Sequence, residues 1–160
     1  MPVFLLSILV LSLISGCIGS NDEALAEKTA QIEDLVDSAC TMIEAQGPQF
    51  FPELRDDSGE WYQGDTYIFV WQTDGLRVVY PPDTNMEGVD MSGLVDKDGK
   101  PIGALFIEIA TKDPYNGWLD YMWPKPGSDD PEEKRTYIKR AVYEDTIYLV
   151  GSGFYYSDYG

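Results

Sequence analysis

Apolar residues between positions 22 and 46 recur at Leu25, Ile32, Leu35, Val36, Ala39, Met42 and Ile43. That spacing draws one stripe along a helix. It predicts a helix over 22–46, capped by Asn21 or Asp22 and ended by Gly47-Pro48. Its far side carries Glu27, Glu33, Asp34, Asp37 and Glu44. After an irregular stretch with one helical turn near Pro52–Arg55, the period changes to two. Tyr67–Thr73 alternates and is rich in aromatic and β-branched residues, which predicts a strand. Asp74-Gly75 is a hairpin signal, Leu76–Tyr80 is the returning strand, and Pro81-Pro82 stop it. Pro101–Lys112 reads both ways: its β-branched residues fit a strand, whereas Ile102, Leu105, Phe106 and Ile109 follow helical spacing. Helix is the choice, with Pro101 in the first turn. Trp118–Trp123, Arg135–Tyr143 and Thr146–Phe154 are predicted strands, the last two joined by Glu144-Asp145. The sum is an α+β domain: two helices and about five mostly antiparallel strands.

The first residues form a different unit. Val3–Ile14 is an apolar run broken only by Ser7 and Ser12. It is too short to favour a membrane span and fits the core of a secretory signal. Leu13-Ile14-Ser15-Gly16-Cys17 resembles a lipobox. The expected organisation is a signal peptide over 1–16, lipidation at Cys17, a tether over 17–21 and a single domain over 22–160. An uncleaved anchor is the alternative, because no Lys or Arg precedes the apolar run. Both place the domain outside the cytoplasm, on the outer face of the cytoplasmic membrane. Cys40 is then alone, which fits a buried small hydrophobe.

Composition narrows the function. The formal net charge is −17, from 28 acidic and 11 basic residues, which argues against nucleic acid and against docking on an anionic bilayer through a basic patch. There is no histidine, so the commonest general base and metal ligand is missing. Asp96, Asp98 and Gly99 lack a carboxylate at the twelfth calcium-loop position and read as a turn. Ser152, between Gly151 and Gly153, falls short of a nucleophile elbow. The reading is a non-enzyme with no metal and no cofactor.

The order of elements resembles a single Cache domain, an extracytoplasmic relative of the PAS fold. The likeness rests on Gly64–Val70, Asp74-Gly75, Val79-Tyr80-Pro81, Gly88-Val89-Asp90, Asp96 and Gly99, Gly117-Trp118 through Pro126, Lys134, Tyr137 and Val150–Tyr155. The chain departs from the family at Tyr80, where His often stands. The resemblance implies a long N-terminal helix on the back of the sheet and a pocket on its front, below the loops between the second and third strands. It also implies small organic acids or amino acids as ligands.

Alternation sorts the candidates. Tyr67, Phe69, Trp71 and Thr73 share one face, and Ile68, Val70 and Gln72 the other. The aliphatic set suits the helix-packed back. Of the pair of faces at 118–123, Tyr121 and Trp123 are expected in the pocket, with Trp118 and Asp120 turned away. The candidate ligand-binding set is Tyr67, Phe69, Trp71, Tyr80, Tyr121, Trp123, Lys134 and Tyr137. Lys134 would meet a carboxylate, or else pair with Glu132 or Glu133; Arg77 is the rival cation. No kinase or coiled-coil segment follows in this chain, so output through a membrane-bound signalling or transport partner is expected. A cavity of roughly 100–400 Å³ would fit capture of a small carboxylate-like ligand. A face packed solid would fit a structural or interaction lipoprotein.

Overall fold

The computed structural model describes residues 19–159. The signal segment and Cys17 lie outside them. Helix α1 runs Ser20–Gln46 and ends at Gly47, whose φ of 60° and close contact with the Tyr143 ring leave no room for a side chain. Its N-cap is Gly19, with no side-chain capping bond, in place of the expected Asn21 or Asp22. A 3-10 turn over Gly47–Phe50 and helix α2 (Phe51–Leu54) follow. Strands β1 (Tyr62–Gln63) and β2 (Thr66–Tyr67) form a small antiparallel pair. Then come β3 (Phe69–Gln72), β4 (Arg77–Val79), helix α3 (Ile102–Thr111), β5 (Asn116–Pro124), β6 (Pro131–Tyr143) and β7 (Thr146–Tyr155). The large sheet has the order β4-β3-β7-β6-β5, with every pairing antiparallel.

The strand expected over Tyr67–Thr73 is thus two, β2 and β3, divided at Ile68, whose N–H bonds to Trp61 O. The in–out alternation survives the break. Ile68 and Val70 face α1, and Tyr67, Phe69 and Trp71 face the other way. The helical alternative at 101–112 prevails because Ile102, Phe106 and Ala110, at a spacing of four, bury one stripe against the front of the sheet.

Two cores flank the sheet. Behind it, α1 buries Ile32, Val36, Ala39, Cys40 and Ile43 against the aliphatic face of β3 and against β6 and β7. Burial pushes the Cys40 thiol up to about 12, so it packs as a hydrophobe. The acidic side of α1 is less free than its sequence implies. Glu33 accepts from Trp118 Nε1 at 2.9 Å, Asp37 meets Lys139 Nζ at 2.8 Å, and Glu44 accepts from Val142 N at 3.3 Å. These bonds tie the helix to β5 and β6.

In front, α3 and the segment 80–101 cover the aromatic face. Residues 88–91 run along the outer edge of β4: Gly88 N donates to Arg77 O, Arg77 N to Val89 O and Met91 N to Gly75 O. Asp96 pins the segment to β5. It accepts from Asp98 N, Lys100 N and Met122 N at 2.9, 2.9 and 3.0 Å. Burial alone would raise its carboxyl; the three N–H donors outweigh that and hold it below the usual carboxylate range.

Candidate functional site

Parity decides which side chains reach the front. In β5, Tyr121 and Trp123 point forward. Trp118 points back and meets Tyr137 at a tilt, ring centres 5.1 Å apart, and Asp120 accepts from Tyr156 at 3.2 Å and lies 3.8 Å from Arg135. In β6, Lys134, Thr136 and Ile138 share the front. Tyr137 is three residues from Lys134 and so falls on the α1 side, in the core with Trp118 and Phe154. The expectation that Tyr137 lines the pocket is corrected on that ground.

One irregularity recruits a residue that alternation would not. The ladder between β3 and β4 shifts register, with Val70 opposite Val79 but Trp71 opposite Arg77. Without the bulge, Arg77 and Val79 would share a face. With it, Val79 packs behind the sheet and Arg77 turns forward beside Trp71 and Tyr80.

The resulting recess is walled by Tyr67, Phe69, Trp71, Arg77, Tyr80, Leu94, Ile102, Phe106, Tyr121 and Trp123. Its floor depends on Gly151, because a Cβ there would sit 2.4 Å from Phe69 Cζ. Phe69 stacks on Phe106 at 5.8 Å, and Tyr121 meets Phe106 edge-on at 5.3 Å. Tyr80 accepts from Trp123 Nε1 at 3.3 Å and closes the far side. The space left is about 20 Å³, enough for roughly one water and below the expected 100–400 Å³. The reason is that Phe106, Leu94 and Ile102, from α3 and the loop before it, fill the hollow of the sheet.

The polar groups around this recess are unusual. Arg77 is 2% exposed. Its Nε donates to Met86 O at 3.0 Å, its guanidinium lies 4.3 Å from the Tyr80 ring, and its Nη2 has no partner. Trp71 Nε1 beside it is also buried without a partner. Lys134 is 1% exposed. Its Nζ donates to Tyr67 Oη at 3.1 Å and sits over the rings of Tyr67 and Tyr155 at 4.3 and 4.9 Å. Neither cation forms an ion pair with a described residue. The alternative pairing of Lys134 with Glu132 or Glu133 therefore does not occur; Glu132 lies 3.8 Å from Lys125 instead. Burial brings the Lys134 ammonium down to about 7, against a partial pull upward from Asp65. Burial raises Tyr67, Tyr121 and Tyr155, which remain neutral hydroxyls at neutral pH.

Tyr155 was not among the sequence candidates. It is one residue past the expected end of its strand, but it shares parity with Leu149 and Gly151 and pairs with Lys134 across β6 and β7. Leu94, Ile102 and Phe106 belong to the covering segment, whose docking no local pattern encodes.

A five-stranded antiparallel sheet with a long helix behind and a cationic, aromatic recess in front defines a PAS-like domain of the sensor type. The chain belongs to the Cache domain family, whose profile matches residues 57–160. It is 30% identical to the periplasmic sensor domain of a chemotaxis protein, covering 82% of this chain and 96% of that one, with a TM-score of 0.70. A Cache chemosensory domain at 22% identity shares the fold, with a TM-score of 0.67 over 86% of this chain and 99% of that one. The methyl-accepting chemotaxis protein McpP of Pseudomonas putida is 27% identical over 97 residues, which are 61% of this chain and 17% of that protein. The chain thus spans under a fifth of the length of this relative.

Proposed function

We propose that this chain is an extracytoplasmic ligand-binding domain for a small carboxylate, such as an organic acid or amino acid, which passes its bound state to a membrane-bound signalling or transport partner. One observation carries the reading. In a chain with 28 acidic residues, two cations are buried at the front of the sheet and neither forms an ion pair with a described carboxylate: Asp65 acts on Lys134, and Asp83 and Glu87 on Arg77, only from beyond contact. Buried charges are normally paired, and a bound anion would supply the partner. Arg77 Nη2 and Trp71 Nε1 are donors without acceptors at the same recess. One structural relative is a chemosensory domain that recognises carboxylic acids, which agrees with this choice. Entry requires the wall to move, and Tyr80 and Leu94 lie outside helices and strands.

The narrow recess favours a second reading, a structural or interaction lipoprotein whose pocket its own side chains have filled. Thermal unfolding of the full chain against a panel of small carboxylates and amino acids separates the two. A saturating ligand is expected to add roughly 2–4 kcal/mol of stability. If no member of the panel shifts the transition, the interaction reading stands.

The membrane attachment is a proposal of the same kind, resting on the Cys17 lipobox. Intact mass of protein extracted from membranes should show a chain beginning at a lipid-modified Cys17. Retention of Met1 with an unmodified Cys17 would refute the anchor.

A further inference from the structure

Lys134 does not line the recess; Tyr67 stands between them. Cross-strand pairing places Lys134 between Tyr121 on β5 and Tyr155 on β7, and its Nζ reaches over to Tyr67 Oη. As an ammonium it occupies a lone pair of that oxygen and leaves the Tyr67 hydroxyl proton to be donated elsewhere. As a neutral amine it can take that proton itself. The protonation state of Lys134 therefore decides whether Tyr67 can donate into the recess.

We propose that Lys134 is a positioning residue that acts through Tyr67 and links capture of the anion to uptake of one proton from solvent. This rests on the carboxylate reading and adds to it how the site responds to pH. The ammonium form presents Tyr67 as a donor and adds a positive field behind it. The amine form does neither. A bound carboxylate favours the ammonium, since an opposite charge nearby stabilises the charged form, and by linkage the ammonium form binds more tightly.

The surroundings single out Lys134 as the group that titrates. Asp65, in the turn between β1 and β2, is the acid that acts on it. Lys125 lies beyond the Tyr155 ring, 5.3 Å from its centre, and is itself raised by Asp158. Tyr80 packs edge-on against Tyr67, ring centres 5.7 Å apart, and is the neighbouring acceptor for its hydroxyl; Arg77 lies over the Tyr80 ring and remains a cation. Tyr67, Tyr121 and Tyr155 are pushed up by burial, away from neutrality. Burial with no paired carboxylate brings Lys134 into the neutral range.

The test is calorimetric titration of the full chain in detergent with acetate, a carboxylate small enough to suit so narrow a recess. Measurements run at pH 6, 7, 8 and 9, each in two buffers of different ionisation enthalpy. Affinity is expected to fall at least about tenfold between pH 6 and 9, with uptake of most of one proton near pH 8. Lys134→Met should bind more weakly at pH 6 and show a flat profile. Tyr67→Phe, which keeps the ring and removes the hydroxyl, should make it shallower, leaving only the part due to the field of the ammonium. Carbon NMR of the lysine side chains gives a readout that needs no ligand: the Lys134 signal should titrate near neutrality. A wild-type affinity that is flat from pH 6 to 9 overturns this proposal alone, as does a pH dependence that persists in Lys134→Met or a Lys134 signal that stays charged beyond pH 10. Absence of binding by any carboxylate at any pH strikes the function reading and removes this proposal with it.

Discussion

Lys134→Met is expected to stabilise the fold at pH 6 by about 3–5 kcal/mol. The ammonium is 1% exposed and has lost its hydration shell. In return it has one bond to Tyr67 Oη and two aromatic faces at 4.3 and 4.9 Å. That this compensation is incomplete shows in the drop from an ordinary value of 10.5 to about 7. The sign follows from proton counting. Between pH 7 and 10.5 the unfolded chain holds the Lys134 proton and the folded chain does not, so folding improves as pH rises through that window. Below pH 7 both states hold the proton and the full cost of the buried charge is present. Methionine is unbranched, one atom shorter than lysine, and has no charge to bury. Urea unfolding of both proteins at pH 6, 8 and 10 should show the variant ahead by the full amount at pH 6 and the two converging by pH 10. Using the difference between the proteins cancels the self-repulsion of the other charges, which also changes with pH. A variant less stable than the wild type at pH 6 would show that the ammonium is adequately compensated in the folded protein.

A buried cation with a single hydrogen bond and no ion pair, enclosed by Tyr67, Tyr121 and Tyr155, argues for use over structure. A core that only had to fill the front of this sheet would take an aliphatic residue at 134, as it does at Ile138 four positions on.

How much of this is legible in the sequence varies by element, for physical reasons. The stripe of α1, the stripe of α3 and the alternation of β5–β7 are local periods, and the structure repeats them within a few residues. Tyr67, Phe69 and Trp71 reach the front because alternation persists across the break at Ile68. Parity would also have removed Tyr137, since it cannot share a face with Lys134 in a regular strand. Arg77 is different. Its placement follows from a bulge between β3 and β4, and the bulge is a property of two paired strands. The narrowness of the recess is likewise set by how Leu94, Ile102 and Phe106 dock, through contacts far apart in sequence such as Asp96 with Met122 N. The sequence pattern names a hollow sheet face; only tertiary packing says how much of it is left empty.

Arg77→Met is expected to weaken binding of whichever carboxylate binds best by about 100-fold, close to 3 kcal/mol, the usual scale for removing one partner of a buried charge pair. Among the described residues, Arg77 is the one cation that lines the recess itself, and its Nη2 is unbonded there. Its Nε is committed to Met86 O and its plane lies on Tyr80, so the guanidinium is held in place before a ligand arrives. Arg77→Lys should not restore affinity. An ammonium cannot hold Met86 O and Tyr80 in this geometry while presenting two further donors to a carboxylate. Direct titration at pH 6, where Lys134 is charged in all three proteins, isolates the contribution of residue 77. The amide analogue of the same acid supplies the internal control. It should bind weakly to the wild type and lose much less on mutation, because the charge-assisted part of the bond is already gone. Equal affinity of wild type and Arg77→Met for the carboxylate would move the anion away from the bulge and leave the Lys134 side of the sheet to hold it.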